Sequence, residues 1–261
     1  WKVDDGALTT DTIGTNTLTN TGSEVTADTT NYKEGDAAAL MNSTSDQLYC
    51  LDTNLDAGFP LKNGDANKKI SVCFWVRSYF FPASGNRHIV GKYENGKRSI
   101  LIYTSSGGTP DDEPIFGLGH NNGDSLETVS FGSALTVNQW YHFGVTYQDS
   151  DKSYKIRIWD DNASALLGGA EVTGNTTNNI NVEDAQWHIG CATSYDNATL
   201  GMQIDEVVVF NDILTSDEID QIRGGTFGAA ADQGVPQVIW NEDVPSFNDW
   251  YEFMGGLRCG G

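Results

Sequence analysis

Positive charge is scarce in this chain, in which 15 lysines and arginines stand against 36 aspartates and glutamates, for a formal net charge of −21. A surface this acidic repels phosphate backbones and anionic lipid, so we expect neither nucleic acid nor a membrane surface as a partner. The sequence contains no run of about 18 apolar residues, so no membrane-inserted helix is predicted. Such a charge balance suits a solvated surface, a salty milieu or the binding of divalent cations.

Paired cysteine motifs are also missing. The four cysteines show no CxxC spacing, which gives no support for a zinc site or for thioredoxin-like chemistry. Cys73 and Cys191 lie in apolar runs and are expected to be buried thiols, although a disulfide among Cys50, Cys73 and Cys191 stays open. The sequence has no GxSxG or SxxK nucleophile motif and no phosphate-binding glycine loop. The chain begins at Trp1 rather than at a methionine, as expected of a processed or excised form.

Alternation of apolar and polar residues is the main periodic signal. In "ISVCFWVRSY" (70–79), Ile70, Val72, Phe74 and Val76 share one face, as the period of a half-buried strand requires. Segments rich in Gly, Asn, Asp and Ser separate such runs and predict turns. Further strands are predicted at 99–103, 115–120, 126–131, 139–147, 154–160, 186–191 and 202–210. So many strands, with no long amphipathic helix between them, predict an all-β antiparallel sandwich or barrel and exclude a parallel α/β fold.

The one predicted helix lies in "TSDEIDQIRGG" (215–225). A hydroxyl residue can cap its start, acidic residues fill its first turn, and two glycines end it. Ile219 and Ile222 give it a short apolar stripe.

Residues 224–261 differ in character from the preceding 223 residues. A Gly/Ala-rich start is followed by an aromatic-rich tail without clear periodicity, which reads as an arm appended to a finished domain over 1–223. Its large apolar side chains are expected to pack onto the domain or onto a neighbouring molecule. The assembly candidates are Trp240, Phe247, Trp250, Tyr251 and Phe253.

Four pieces of the sequence resemble one family. "NQWYHFGVTYQDSDKSYKIRIWDD" (138–161) is similar to a pattern close to N-x-W-x-H-x-x-V-T-Y, a turn and an alternating strand, found in laminin-G-like, concanavalin-A-like jelly-roll domains of the bacterial and viral type. "KKISVCFWVRS" resembles their earlier core strand, and "IDEVVVFNDILTSDEIDQI" their closing strand and short helix. The opening residues, followed by "YKEGDAAAL", resemble their first strands. The resemblance covers about residues 1–223 and implies an antiparallel jelly-roll β-sandwich with one short C-terminal helix.

Two acidic trios, Ile204-Asp205-Glu206 and Glu218-Ile219-Asp220, are candidates for catalytic carboxylates or for a metal ligand and a helix cap. Glycosidases of the related jelly-roll class carry E-x-D-x-E on one strand, where the period of two aligns all three acids across the cleft. "EIDQI" lacks the third acid and lies on the predicted helix, where residues two apart point to different faces. Catalysis by this trio is not expected.

The resemblance implies a structural calcium ion beside the closing strand. Its ligands would be the side chain of Asp205, a backbone carbonyl of Lys2 or Val3, and a carbonyl of Gly35. A mixed set of carboxylate and carbonyl oxygens suits Ca²⁺ and would tie both ends of the domain together. The alternative is that Asp205 only hydrogen-bonds a neighbouring loop, and Glu206 is expected to face solvent.

Ligand contacts are predicted at two places. His142 and His188 lie between apolar residues and are expected to be hydrogen-bonded structural histidines, whereas His120 and Asn121 lie in the loop-like "GLGHNNGD". Tryptophans on the core strands are expected to be buried. Trp159, beside Asp160, is the exception because it alternates with Ile156 and Ile158 and can stack on a sugar ring.

These observations predict a non-enzymatic, extracellular or cell-surface recognition module that binds a glycan or a cell surface, with a structural calcium ion. The alternative is a structural subunit or decoration of an extracellular filament, surface layer or virion, which forms a homo-oligomer or larger assembly through its arm. A glycoside hydrolase or lyase is the third hypothesis.

Overall fold

The computed structural model describes residues 1–21, 24–43, 46–80, 85–105, 112–123, 125–190 and 201–228. These residues form β-strands numbered β1 to β15 in chain order and one helix, α1. The strands are β1 Thr19–Asn20, β2 Thr26–Asp28, β3 Ala38–Met41, β4 Gln47–Cys50, β5 Lys69–Ser78, β6 Arg87–Glu94, β7 Lys97–Ser105, β8 Glu113–His120, β9 Ser125–Ser130, β10 Trp140–Gln148, β11 Ser153–Asp160, β12 Ala165–Leu166, β13 Val172–Asn175, β14 Trp187–Gly190 and β15 Met202–Phe210. Helix α1 spans Ser216–Arg223, and short 3-10 turns occupy Asp52–Asn54 and Leu167–Gly169.

The strands pair antiparallel in two sheets, which confirms the predicted fold class. The first sheet has the order β1-β4-β14-β6-β7-β8-β9. The second has the order β12-β11-β10-β5-β15-β3-β2, with β13 also paired to β11. Strands distant in sequence are therefore neighbours, and β15 lies beside β5 at the centre of the second sheet.

The core lies between the two sheets because each contributes one apolar face. Alternate residues of β5 point inward, and Phe74 stacks on Phe143 of β10 with ring centroids 5.0 Å apart. Each large apolar side chain buried in this way stabilises the fold by about 1.5–3 kcal/mol relative to exposure. The other members of β5, including Cys73 and Trp75, lie on the outer face of the second sheet, where helix α1 and the loop at 29–36 pack. Cys50 and Cys73 are buried free thiols.

The first residue is fixed to the closing strand. The Trp1 ammonium group donates a hydrogen bond to the Val207 carbonyl (2.6 Å), and the Val207 amide donates to the Trp1 carbonyl (2.9 Å). The indole of Trp1 stacks on Trp187 with centroids 6.4 Å apart. Residues 1–5 are thereby held against β15.

Helix α1 begins with the capping chemistry that the sequence predicts. Thr215 accepts a hydrogen bond from the Glu218 amide, and the Glu218 carboxylate accepts one from the Thr215 amide, so two orphan donors of the helix start are satisfied. Ile219 packs onto β10 at Gly144, where a Cβ atom would lie 2.4 Å from Ile219 Cγ2. Arg157 of β11 holds the helix from the side through Asp220 (2.6 Å).

Strand β6 is a strand that the periodicity did not predict. Its pairing with β7 shifts register between His88 and Val90, so Ile89 and Val90 both reach the core, and Lys92 is buried where an apolar residue is usual. Both features break the period of two that identifies strands in a sequence.

None of the helices among the described residues is long and apolar enough to cross a bilayer.

Candidate functional site

Three segments of the chain meet at Asp205. Trp1 pairs with Val207 of β15, Asp4 and Asp5 contact Asp36, and the loop at 33–36 donates amides to Asp205. Asp205 itself lies on the outer face of β15, opposite Trp75 of β5. The segments that contain the three predicted cation ligands, Asp205, Gly35 and Lys2, therefore lie next to one another.

Asp205 is fully buried, and its two carboxylate oxygens differ. Oδ2 accepts hydrogen bonds from the backbone amides of Lys33 (2.7 Å) and Glu34 (3.1 Å). Oδ1 is buried and has no hydrogen-bond partner. Burial raises the pKa of this carboxyl to about 6, while the backbone amides of Lys33, Glu34 and Glu206 act to lower it. At neutral pH the structure therefore holds a charged, buried oxygen, Oδ1, that no well-formed hydrogen bond stabilises, which is costly unless a cation faces it.

Gly35 allows the loop and the N-terminal segment to come into contact. Its φ of +65° lies in the left-handed region, and a Cβ atom here would lie 1.8 Å from Asp4 Oδ1. The same Asp4 oxygen accepts a hydrogen bond from the Asp36 amide (3.2 Å), and Asp36 Oδ1 accepts one from the Asp5 amide (2.9 Å). Only glycine fits this approach without displacing one of the two segments.

The prediction that Glu206 faces solvent is wrong. A β-bulge shifts the register of β15 against β5 between Asp205 and Val208, and Glu206 takes a left-handed φ of +49° within it. Val207 fills the core position instead, and the side chain of Glu206 is only 14% exposed. Burial and the negative charge of Glu34 raise the pKa of Glu206 to about 7.

The donor set fits a hard cation that takes backbone as well as side-chain oxygens. In the part of the chain that the structure describes, no three His, Cys, Asp or Glu side chains converge to hold a metal by themselves. Calcium, however, accepts six to eight oxygens at about 2.3–2.6 Å and readily uses carbonyls and water beside one or two carboxylates. The residues at Asp205 fit such an ion, because Oδ1 is a buried carboxylate oxygen that makes no well-formed hydrogen bond.

Trp159 and Asp160 lie at the end of β11 in the second sheet. Trp159 is half-buried, and the guanidinium of Arg223 covers its ring at 3.9 Å, so one ring face is already occupied. The Asp160 carboxylate accepts hydrogen bonds from the Asn162 and Ala163 amides and so stabilises its own turn. A ligand could therefore reach only one ring face of Trp159, and at Asp160 it would share the carboxylate with these two amides.

His120 and Asn121 lie elsewhere, at the end of β8 in the first sheet. Asn121 is exposed at a left-handed turn position with a φ of +53°, and His120 is half-buried with Nδ1 unbonded. The structure thus does not unite the four predicted ligand-binding residues, and each pair stays a separate prediction.

A row of side chains crosses the outer face of the second sheet and ends at Asp205. In neighbouring strands, Trp159 lies opposite His142, His142 opposite Trp75, and Trp75 opposite Asp205. His142 meets Trp75 edge-on at 5.0 Å, and Lys33 Nζ lies 4.5 Å above the Trp75 ring. The row therefore links the predicted cation segment to Trp159 through packed rings.

The remaining histidine and tryptophan predictions have mixed outcomes. Trp75 and Trp187 are buried as expected, whereas Trp140 is half-buried on the outer face. His188 is fully buried, as a structural histidine would be, and the backbone of Gln186 is the one hydrogen-bonding group among the influences on its ring. Its burial, with a smaller contribution from His88, lowers its pKa to about 3 and keeps it neutral.

The second acidic trio is fully engaged in structure. Glu218 closes the capping box of α1, and Asp220 forms an ion pair with Arg157. Burial acts to raise the pKa of Asp220, but the hydrogen bond and charge of Arg157 hold it below its usual value. Asp220 therefore lacks the raised pKa that a general acid needs.

The predicted assembly residues Trp240, Phe247, Trp250, Tyr251 and Phe253 lie outside the described residues, so the assembly role stays a prediction. The first residues of the predicted arm are described. Phe227 meets Phe210 of β15 edge-on with ring centroids 5.3 Å apart.

Comparison with curated proteins finds no match. Among solved structures, the chain resembles a botulinum neurotoxin type C structure titled for cell entry dependent on two ganglioside molecules, with a TM-score of 0.48 and 16% identity over 75% of this chain and 41% of the other. A botulinum neurotoxin DC binding domain in complex with rat synaptotagmin II gives a TM-score of 0.47 and 15% identity over 75% and 42%. A heptameric SAP-like pentraxin from Limulus polyphemus gives 0.43 and 12% over 63% and 79%. The chain thus spans about two fifths of the neurotoxin chains.

A family profile provides the assignment. The laminin G-type profile, described as the concanavalin A-like lectin/glucanases superfamily, matches residues 52–220, which contain β5 to β15 and most of α1. This match covers more than half of the chain and confirms the resemblance of the sequence pieces. The chain belongs to the laminin G-like family of the concanavalin A-like lectin/glucanase superfamily.

Proposed function

We propose that this chain is a non-enzymatic, extracellular recognition module that binds carbohydrate or a cell surface and carries a calcium ion at Asp205. The observation that carries the calcium part is the buried Oδ1 of Asp205, which has no partner at the point where three segments meet. A divalent cation there would neutralise that oxygen and join residues 1–5, the loop at 33–36 and β15.

The surface beside this position has the chemistry that carbohydrate recognition uses. On the outer face of the second sheet, half-buried Trp140 lies opposite Arg77, which donates hydrogen bonds to Asn138 and Gln203, both at 3.1 Å. Tyr32, next to the Asp205-binding amide of Lys33, is 41% exposed. Partly exposed aromatic rings flanked by amide and guanidinium groups offer stacking faces and hydrogen bonds to sugar hydroxyls. His120 and Asn121 form a second place at which contacts are proposed.

A non-enzymatic role is supported by the use of the acidic residues. Glu218 caps the helix, Asp220 pairs with Arg157, and Asp205 is fully buried. A glycosidase needs two carboxylates that face one cleft at a defined spacing.

The test has two parts, thermal unfolding and a glycan array, each in calcium and then in chelator. We expect calcium to raise the melting temperature of the wild type and not of Asp205→Asn, which keeps the acceptor for the Lys33 and Glu34 amides but loses the charge. We expect a selective array signal that chelator abolishes. An equal melting temperature in calcium and chelator would remove the calcium part, and a blank array with folded protein would overturn glycan recognition in favour of the assembly role.

A further inference from the structure

Glu206 is unusual because the fold keeps its carboxylate out of both solvent and core. In a regular strand the residue after Asp205 would point to the opposite face of the sheet, into the core beside Ile204. The bulge instead gives that place to Val207 and turns Glu206 toward the charges of Glu34, Lys2, Asp205 and the Trp1 ammonium group. The carboxylates of Asp205 and Glu206, which are neighbours in the chain, therefore repel each other.

Charges of both signs surround Glu206. Glu34 and Asp205 repel it, and the Trp1 ammonium group and Lys2 attract it. Lys2 Nζ lies 3.9 Å from Glu206 Oε1 on a side chain that is 52% exposed. An exposed ion pair of this length gives little stabilisation. Oε1 of Glu206 is itself buried and makes no hydrogen bond. The site therefore contains two buried, unbonded carboxylate oxygens, one on Asp205 and one on Glu206.

We propose that Glu206 is a second carboxylate ligand of the cation at Asp205, and that cation binding replaces its contact with Lys2. This inference rests on the calcium site of the proposed function and extends it to a residue outside the predicted ligand set. The left-handed backbone of Glu206 holds the carboxylate in place for this role, and a second anionic oxygen favours calcium, which accepts several carboxylates in flexible geometry. Lys2 then serves as a weak placeholder that shields the carboxylates when no cation is bound.

The proposal distinguishes a ligand from a residue that only supports the fold. Removing the charge of a ligand in a repulsive cluster should stabilise the cation-free protein and weaken the cation complex. Removing the charge of a purely structural ion-pair partner should instead destabilise the cation-free protein and leave cation binding unchanged.

The experiment measures calcium affinity by isothermal titration, and melting temperature in chelator, for four proteins. These are the wild type, Glu206→Gln, Lys2→Met and Asp36→Asn. The last is the control, because it removes one exposed negative charge from the same loop yet keeps the oxygen that accepts from the Asp5 amide. We expect Glu206→Gln to bind calcium at least tenfold more weakly and to melt in chelator no lower than wild type. We expect Lys2→Met to bind more tightly and Asp36→Asn to stay within about twofold of wild type, since exposed charges interact weakly.

The outcomes separate the two proposals. If wild type and Asp36→Asn bind calcium and Glu206→Gln binds equally tightly, the role of Glu206 is overturned and the site at Asp205 stands. If the wild type binds no calcium, the proposed calcium site fails and the Glu206 proposal fails with it. A Glu206→Gln protein that melts lower in chelator with unchanged affinity assigns Glu206 to the Lys2 ion pair alone.

Discussion

Single residues decide whether the loop at 33–36 and the N-terminal segment can meet. Gly35 has a positive φ and lies against Asp4, whereas Gly6, only a few residues from Asp4, has a similar φ of +70° but nothing within 4 Å of its Cβ position. The two glycines therefore share one backbone requirement and differ in the steric one. This difference makes them a matched pair for mutation.

We expect Gly35→Ala to destabilise the protein more than Gly6→Ala. Both carry the strain of alanine in the left-handed region, about 1 kcal/mol. Gly35→Ala adds the clash with Asp4 Oδ1 and should cost about 2–4 kcal/mol in total, as overpacked sites do. Urea unfolding in chelator measures both, and calcium titration of the same variants should show weakened binding only for Gly35→Ala. Equal losses for the two variants would show that the contact with Asp4 is not restrictive.

At the scale of elements, alternation predicts β14 and the long strands other than β6, but it predicts neither the other short strands nor the bulge that creates the site. The apolar face of β5 and the closing strand β15 are legible because their inward residues repeat with a period of two. The sequence does not predict the bulge in β15, because "IDEVVVF" fits a strand equally well with or without an extra residue. Only the pairing with β5 fixes which residue is displaced. Asp205 was therefore identified by its place in a motif, and Glu206 was assigned the wrong environment. Strand β6 was missed for the related reason that its bulge and buried Lys92 break the alternation.

Helix α1 provides a test of how one element docks on the second sheet. Ile219 fills the space above Gly144, and Arg223 of the same helix covers Trp159. We expect Gly144→Ala to push the helix outward and to cost about 1–3 kcal/mol of unfolding free energy. Ile219→Ala should cost about 2–5 kcal/mol through the lost contact and the cavity.

The double variant Gly144→Ala/Ile219→Ala separates docking from unrelated strain. Since the new methyl group enters the space that Ile219 vacates, its cost should be less than the sum of the two single costs by about 0.5–3 kcal/mol. Denaturant unfolding of all four proteins gives this coupling. Strict additivity would mean that Ile219 and Gly144 do not share the space that the structure shows.

For the whole molecule, buried ionisable groups rather than the formal charge of −21 set the response to acid. Three histidines are buried and neutral in the fold, with burial lowering the pKa of His88 to about 4 and, with smaller effects of neighbouring charges, those of His142 and His188 to about 3. Burial raises the pKa values of Asp205 and Glu206 to about 6 and about 7, which acts in the opposite direction. The order of the strand pieces revealed the architecture, but none of these environments follows from sequence, because each depends on which face of a sheet is covered.

The sign of the histidine effect follows from the two states. Above a pH of about 6.5 these imidazoles are neutral both folded and unfolded, so they contribute no pH dependence. Below this pH each histidine is protonated in the unfolded chain but stays neutral in the folded protein. The free energy of unfolding therefore falls by about 1.4 kcal/mol per pH unit for each histidine, until the pH reaches the pKa of the folded state. At pH 5 each histidine should have lowered the free energy of unfolding by about 2 kcal/mol.

His188→Phe tests this at one position. The substitution keeps a flat ring, removes two buried ring nitrogens and abolishes protonation. At pH 7.5 we expect the free energy of unfolding of the variant to be within about 1 kcal/mol of the wild-type value. Between pH 7.5 and pH 5 we expect the variant to lose about 2 kcal/mol less of this free energy than the wild type loses. Denaturant unfolding at both pH values, in chelator so that Asp205 and Glu206 behave alike in the two proteins, measures the difference. Identical losses in the two proteins would mean that His188 is protonated in the folded state as readily as in the unfolded chain, and that its burial imposes no barrier to charge.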